Sequence, residues 1–414
     1  MTIHLPYGKT EIPMEISPER VITSKIAQLR GGNGAALVAQ AMAAPIGSPM
    51  LSELVAGKKT CTIIISDHTR PVPSRDILPA MLAQLRQGNP DIDITLLVAT
   101  GCHRETTAAE LASKLGEEIA TNEKIVVHDA FDANSNVEIG ILPSGAPLVI
   151  DRLAAETELL VAEGFIEPHF FAGFSGGRKS VLPGVCDKVT VYGNHCGAFI
   201  ADPGARTGLL DGNPIHRDME AAAEMAKLQY IVNVVIDEHK QTVAAFAGDF
   251  RQAHAAGVAF LREYCQVPPI PGDIVVTTNG GAPLDQNLYQ CVKGLTAAEA
   301  TVNPGGTIIL CAEMADGIGG DQFYRDMRDC ESAKALFDKF CATPQAETVA
   351  DQWQTQILCR VLKEHRVIFV TRPEMQKIIE EMKMEYAPDL TSALAMAGEG
   401  SITAIPDGVS VCIC

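Results

Sequence analysis

The chain of 414 residues carries 33 Lys and Arg against 51 Asp and Glu, a formal net charge of −18. That balance argues against nucleic-acid partners, which select basic stripes, so any small anionic ligand must be gathered by a local cluster of cations. With 47% apolar, 20% charged and 5% aromatic residues, the composition is that of a globular α/β protein too long for a single ordinary core, which points to two domains.

The opening MTIHLPYGKTEIPME has neither the basic nor the apolar region of a signal peptide, and no apolar run approaches the roughly 20 residues of a membrane span. No membrane partner is expected, and the cytoplasm is the expected location. The 12 cysteines are scattered, with Cys412 and Cys414 the close pair and no C-x-x-C. They read as small core residues of a reducing compartment rather than a disulfide or zinc framework.

Short β-rich runs, each followed by turn residues and a helical pattern, recur in order. They are CTIII from Cys61, ITLLVA from Ile94, ELLVAEGF from Glu158, DIVVTT from Asp273, GTIILC from Gly306 and RVIFV from Arg366. Near-continuous apolar strands alternating with helices predict parallel sheets covered on both faces. The expected fold is α/β, with two domains of mostly parallel sheet and an active-site cleft between them. CQVPPIPGD, Cys265 to Asp273, holds three prolines and a glycine and marks the boundary between 1–268 and 272–414. The last residues, ITAIPDGVSVCIC, form a candidate strand returning to the first domain.

The unusual polar residues sit just after strands, where open α/β sheets bind ligands. Asp67, His68, Thr69 and Arg70 follow the first run; they suit either a capped turn or an acceptor, a hydroxyl and a guanidinium fork held over a pocket by Pro71 and Pro73. His103 and Arg104 follow the second run, with Thr106 and Thr107 as helix caps. The third run leads into EPHFFAGFSGGRKS. Counted from Gly173, the second glycine that a P-loop requires falls on Arg178. The segment nevertheless offers Ser175 and Gly176 as a backbone cradle for phosphate, Arg178 and Lys179 as charges, and Phe170, Phe171 and Phe174 as apolar walls. Lys179 is either a phosphate counter-ion or an attachment lysine with a lowered pKa. Further on, His195 in GNH is a capping or buried histidine, or a metal ligand that needs another molecule to complete its set. Tyr289, Gln290 and Lys293 share one stretch of helix, and Trp353, the single tryptophan, is a core or site-lining residue.

Taken together, DHTRP at Asp67, TGCHR at Thr100, EPHFFAGFSGGRKSVLPG at Glu167, GNH at Gly193, LYQCVKG at Leu288 and Trp353 resemble, in order and over nearly the whole chain, the nickel-pincer lactate racemases and related 2-hydroxyacid racemases and epimerases. The resemblance implies a cofactor, the nickel pyridinium-3-thioamide-5-thiocarboxylic acid mononucleotide, joined covalently to Lys179, with His195 completing the nickel coordination and Asp67, His68, Thr69, Arg70, Ser175, Gly176 and Arg178 lining it. It implies His103 and His169 as the catalytic pair. Arg70, Gln290 and Lys293 would hold the substrate carboxylate, with Tyr289 and Trp353 as walls.

The α-hydrogen of a 2-hydroxycarboxylate is poorly acidic, so it leaves more readily as hydride once a base takes the hydroxyl proton. The planar 2-keto acid then accepts hydride on either face, and two bases serve the two enantiomers. Implied partners are a small 2-hydroxy acid, lactate first, and the enzymes that make the cofactor. Where the family has a serine just after the histidine of the long motif, this chain has Ala172, which weakens the case for lactate itself. The alternatives are a racemase or epimerase of a bulkier or dicarboxylic 2-hydroxy acid or an aldonate, or a nucleotide-binding protein without turnover.

Overall fold

The computed structural model describes every residue except Glu238. It opens on an antiparallel hairpin, β1 (Thr2–Tyr7) and β2 (Thr10–Glu15). Next come β3 (Thr60–Ser66), β4 (Asp93–Ala99) and β5 (Lys124–Val127). A hairpin of β6 (Asn136–Ile141) and β7 (Pro147–Asp151) precedes β8 (Leu159–Phe165). The short pair β9 (Pro168–His169) and β10 (Gly173–Phe174) follows, then β11 (Leu228–Ile236) and β12 (Thr242–Gly248).

Six of these strands form one sheet in the order β12-β11-β8-β3-β4-β5, parallel except where β12 runs against β11. The sequence explains the parallel arrangement. All seven residues of β8 and Cys61 to Ile65 of β3 are buried, as strands covered on both faces must be. The helix Ser74–Gly88 turns Ile77, Leu78, Met81, Leu82 and Leu85 onto one face of the sheet, at the spacing that keeps side chains on one helical stripe. From β3 the chain builds outward to β4 and β5, then returns to add β8 on the other side. The strand order therefore reverses between β3 and β8, which opens a crevice at their carboxyl ends.

After the short β13 (Gln266–Val267), the second sheet comprises β14 (Gly272–Thr278), β15 (Val302–Cys311), β16 (Arg366–Val370), β17 (Glu385–Ala387) and β18 (Ile402–Ile405). Its order is β17-β16-β15-β14-β18, and every neighbouring pair is parallel. The mixed helix and strand content with mostly parallel sheets agrees with the fold class read from the pattern. The two chain ends do not respect a division at residues 268 and 272. In the hairpin, Ile3, Leu5 and Met14 pack with Ile274, Val276 and Ile309 of the second sheet, because its apolar face has no place on a first sheet already covered by helices. At the other end β19 (Cys412–Ile413) pairs with β13, and Cys412 packs with Ile166, Phe174 and Cys265. No helix among the described residues is long and apolar enough to cross a membrane.

Val411, Cys412 and Ile413 are all buried, and burying an aliphatic side chain of this size contributes about 1.5–3 kcal/mol. Deleting residues 411–414 is therefore expected to lower unfolding stability by roughly 3–6 kcal/mol, measured by chemical denaturation. An unchanged midpoint would show that the returning tail is not part of the core.

Candidate active site

A cavity of about 370 Å3 lies where the ends of the first sheet's strands face helices of the second unit. Asp67 and Arg70 enter it from the turn after β3, Thr100 and His103 from the turn after β4, and His169 and Lys179 from the segment after β8. Tyr289, Gln290 and Lys293, on helix Leu288–Glu299, and Trp353, on helix Gln352–Leu362, form the opposite wall.

Asp67 is the fixed point on one side. Its Oδ1 accepts from the Thr69 amide (3.2 Å) and hydroxyl (2.7 Å), and its Oδ2 faces His103 Nδ1 at 2.8 Å. Burial works against its charge, but the hydrogen bonds and charges of His103, Thr69 and Arg70 outweigh burial and hold its carboxyl below the ordinary value. An ionised carboxylate only accepts, so His103 donates through Nδ1 and keeps the lone pair on Nε2. The ring is half-exposed, with 46% of its side-chain surface open.

On the other side His169 stacks on Phe170 (5.1 Å, 22°) and meets Phe171 edge-on (4.5 Å, 82°). Its Nδ1 accepts from the Ala172 amide at 3.3 Å, and its Nε2 lies 3.4 Å from Lys179 Nζ. Burial, then the charges of Lys179, Lys293 and Arg70, push its pKa well below the usual value. Lys179 is lowered just as strongly, first by burial and then by Arg178 and Arg70. His195 is 4% exposed, edge-on to Phe171 (5.1 Å) and Trp353 (5.0 Å), and its Nδ1 has no hydrogen-bond partner. Burial and then the Lys179 charge depress it to about 3. Burial and neighbouring cations therefore shift the nitrogen bases of the cavity towards their neutral forms.

The Gly-rich loop is built differently from the expectation. Gly176 has φ +79°, and a Cβ there would meet the Asn233 Oδ1 at 2.6 Å and the Phe165 carbonyl at 2.9 Å. Arg178 is 1% exposed and does not line the cavity. It donates to the carbonyls of Ala172 (2.8 Å), Phe174 (2.8 Å) and Gly176 (3.1 Å) and to His216 Nδ1 (3.0 Å). Expected as a cofactor contact, the guanidinium here clamps the loop's own carbonyls and faces His216 and His254. His68, expected to line the cofactor, also turns elsewhere. Its Nδ1 meets the Thr106 hydroxyl at 3.0 Å, and it lines a neighbouring groove rather than the cavity. Thr69 acts through Asp67. Ser175 lines the cavity, but its hydroxyl bridges Phe165 O and the Glu167 amide at 2.9 Å each. Ala172 is fully buried behind the wall, so its difference from serine does not face the cavity.

The far wall is tied by the Tyr289 hydroxyl, which donates to Asp351 Oδ1 at 2.8 Å. Burial and the Asp351 charge raise that hydroxyl well above its normal pKa. Burial, then Arg70, lowers Lys293. Sequence reading missed Tyr192, Asp351, Gln354 and Glu163, all of which line the cavity. The first three carry no local signal, since only tertiary packing brings them in. Glu163 had one: it is an acid inside the apolar run LLVAEGF. Among the described residues no group of three or more His, Cys, Asp or Glu is placed to hold a metal. His195 can thus serve a metal only as a single ligand whose companions come from a bound organic group, and its buried, unprotonated, unpartnered ring fits that use.

Comparison with known proteins places these features in context. The model of the lactate racemase N-terminal domain matches residues 7–208, and that of the C-terminal domain residues 267–413. The lactate racemase of Thermoanaerobacterium thermosaccharolyticum is 47% identical, over 99% of each chain. That of Lactiplantibacillus plantarum is 48% identical, over 100% of each. The structure of the Thermoanaerobacterium lactate racemase apoprotein superposes with a TM-score of 0.95 over 100% of both chains. A Thermotoga maritima protein shares the fold alone, at 19% identity and a TM-score of 0.65, covering 92% of this chain and 99% of the other.

The neutral histidines give a pH signature. His254, 4% exposed, donates from Nε2 to Ser175 O at 2.8 Å, and burial followed by the Arg178 charge holds its pKa well below 6.5. A folded-state pKa below the unfolded one means that stability is complete above about pH 6.5 and is lost as pH falls, at about 1.4 kcal/mol per pH unit per ring. The melting temperature is expected to drop from pH 6.5 towards 4.5, and less steeply for His254→Gln. Parallel slopes for the two proteins would contradict the neutral assignment.

Proposed function

The chain belongs to the lactate racemase family and is an isomerase of the racemase type, and on that premise we propose that it interconverts D- and L-lactate with a nickel-pincer mononucleotide tethered to Lys179. The observation that carries this reading is that His103, His169, Lys179 and His195 line one cavity. A non-catalytic nucleotide binder would need neither of the first two rings. The similarity, at 47% and 48% identity over nearly the whole chain, to two lactate racemases favours lactate over bulkier or dicarboxylic relatives.

Burial and the Arg178 charge lower the Lys179 pKa, which raises its share of nucleophilic free amine and suits it to covalent attachment. Acylation of Nζ also removes a charge from beside His169 and His195, two rings whose basicity that charge suppresses. His195 is the protein's metal ligand, and the Gly176 amide together with the Arg70 guanidinium is the phosphate cradle, since the Ser175 and Gly177 amides already donate to Glu167 O and Asn233 Oδ1. When bound, the cofactor supplies a reversible acceptor for the α-hydrogen as hydride.

The remaining work falls to the chain. Arg70 and Lys293 pair with the substrate carboxylate, with Gln290 adding a hydrogen bond, and so fix the α-carbon against one face of the cavity. For one enantiomer His103 takes the hydroxyl proton on Nε2, and Asp67 stabilises the imidazolium through Nδ1. For the other enantiomer His169 takes the same role from the opposite side, which requires its proton to move to Nδ1 and the Ala172 amide contact to be released. Each ring returns a proton to the keto oxygen when the alcohol re-forms. Phe170, Phe171 and Trp353 exclude water, which would otherwise weaken these interactions.

Protein co-produced with the cofactor-making enzymes should carry a mononucleotide-sized mass adduct on Lys179 and racemise D-lactate in polarimetry faster than malate or an aldonate. No rotation change with any 2-hydroxy acid, in protein bearing the adduct, would refute the racemase reading. Replacing His103 or His169 with Asn should lower turnover by about 10²–10⁴-fold while the adduct is retained. His195→Ala should lose nickel, by elemental analysis, and keep the organic adduct. Undiminished nickel would remove His195 as the ligand.

A further inference from the structure

Glu163 is 2% exposed, in the middle of the otherwise apolar β8. It lies at the point where the strand order reverses and lines the same cavity. Its two oxygens are treated differently. Oε1 accepts from the Ser74 hydroxyl (2.6 Å), the Ser66 amide (3.3 Å) and the Ser66 hydroxyl (3.4 Å), whereas Oε2 is buried with no partner. An ionised carboxylate would leave half its charge on an undonated, desolvated oxygen, a large penalty. A proton on Oε2 removes that charge and makes the asymmetry intelligible, since Oε1 then acts as a carbonyl and Oε2 as a hydroxyl. Lys114, the nearby cation that would favour ionisation, directs Nζ instead to the carbonyls of Arg70 (2.9 Å) and Val72 (3.4 Å).

A buried hydroxyl beside a ligand cavity calls for an acceptor. Ser175 and Gly176, of the loop read above as a phosphate cradle, line the same cavity as Glu163. We propose that Glu163 acts as a neutral carboxylic acid whose Oε2–H donates to an anionic oxygen of the cofactor bound in this cavity, a phosphate or a ring carboxylate. The proposal rests on the mononucleotide reading and adds a residue that no sequence motif marks. Glu163 binds rather than reacts.

The test uses the cofactor-free chain and calorimetric titration with nicotinate mononucleotide. Glu163→Gln keeps a carbonyl and replaces O–H by N–H, so its affinity should stay within about threefold of the unsubstituted chain, whereas Glu163→Leu should bind roughly 10- to 100-fold more weakly, the usual effect of losing one hydrogen bond to a charged group. Ribose 5-phosphate and nicotinate as separate probes show which oxyanion is read, by which of them keeps the sensitivity to Glu163→Leu. If Glu163→Gln weakens binding as much as Glu163→Leu, the residue is an ionised acceptor and the proposal fails. Equal binding by all three proteins overturns it too. Failure of the unsubstituted chain to bind the mononucleotide would overturn the cradle reading as well, a distinguishable result. Should Glu163→Leu not fold, infrared difference spectra decide. A protonated-carboxyl band that shifts on ligand binding and is absent from Glu163→Gln supports the proposal; no such band refutes it.

Discussion

Desolvation of basic nitrogens in one narrow cavity is the constraint on which the rest of this molecule depends. Lys179, His169, His195 and Lys293 all sit where burial is the largest influence on their protonation, and each lies in the field of others of the group or of Arg70. Cations crowded into a low dielectric relieve one another by losing protons. The outcome is a shift of these amines and imidazoles towards forms with a lone pair, the direction that acylation, metal ligation and proton abstraction need. A chain with net charge −18 tolerates this because its acids are kept outside the cavity, apart from Asp67, Asp351 and the hydrogen-bonded Glu163.

The two imidazoles proposed as bases, His103 and His169, are not equivalent in their surroundings, although the proposed chemistry treats them as a pair. His103 has a buried carboxylate behind Nδ1 and an open face, so its Nε2 is a base with a ready counter-charge. His169 has a backbone amide behind Nδ1 and an amine beside Nε2. An amide donor favours the lone pair on Nδ1 and the proton on Nε2, the opposite tautomer. Modification of Lys179 changes the environment of His169 far more than that of His103. On the proposed tether, modification of Lys179 would therefore also lift from His169 a charge that suppresses its protonation.

The parallel sheets, their strands and the placement of polar residues after strand ends were legible because each is a local pattern. A β-branched run buried on both faces looks the same in sequence as in structure. Asp67, Arg70, His103, His169, Lys179, His195 and the Tyr289–Lys293 turn of helix line one cavity; their candidacy came from their place after strands and from the family resemblance together. Direction was not legible. His68 and Arg178 stand within the motifs, yet one turns to Thr106 and the other inward to loop carbonyls, since a tight loop with left-handed glycines leaves carbonyls that only a many-donor side chain can satisfy. Nor was the destination of the N-terminal hairpin legible, because its alternating pattern shows that it has an apolar face without showing which sheet lacks cover. Asp351, Gln354 and Tyr192 reach the cavity from elements whose sequences resemble any solvent-facing helix end.

The exchange of chain ends bears on how the cavity is held together. The hairpin belongs to the second sheet's core, after which the chain bridges at Val21 to Ala404 beside β18 and then at Ile46 to Gly248 on β12. Lys25 donates its amide to the Tyr264 carbonyl at the end of helix Phe250–Cys265, and the tail after β18 returns to β13. The units are thus joined by the leading segment, the residue 266–272 linker and the returning tail, where a single linker would have permitted wide opening. With three connections between the units, the Lys293 and Trp353 wall and the Lys179 side of the cavity are held facing each other. That arrangement suits a reaction whose keto-acid intermediate has to stay in place until hydride and proton return to it.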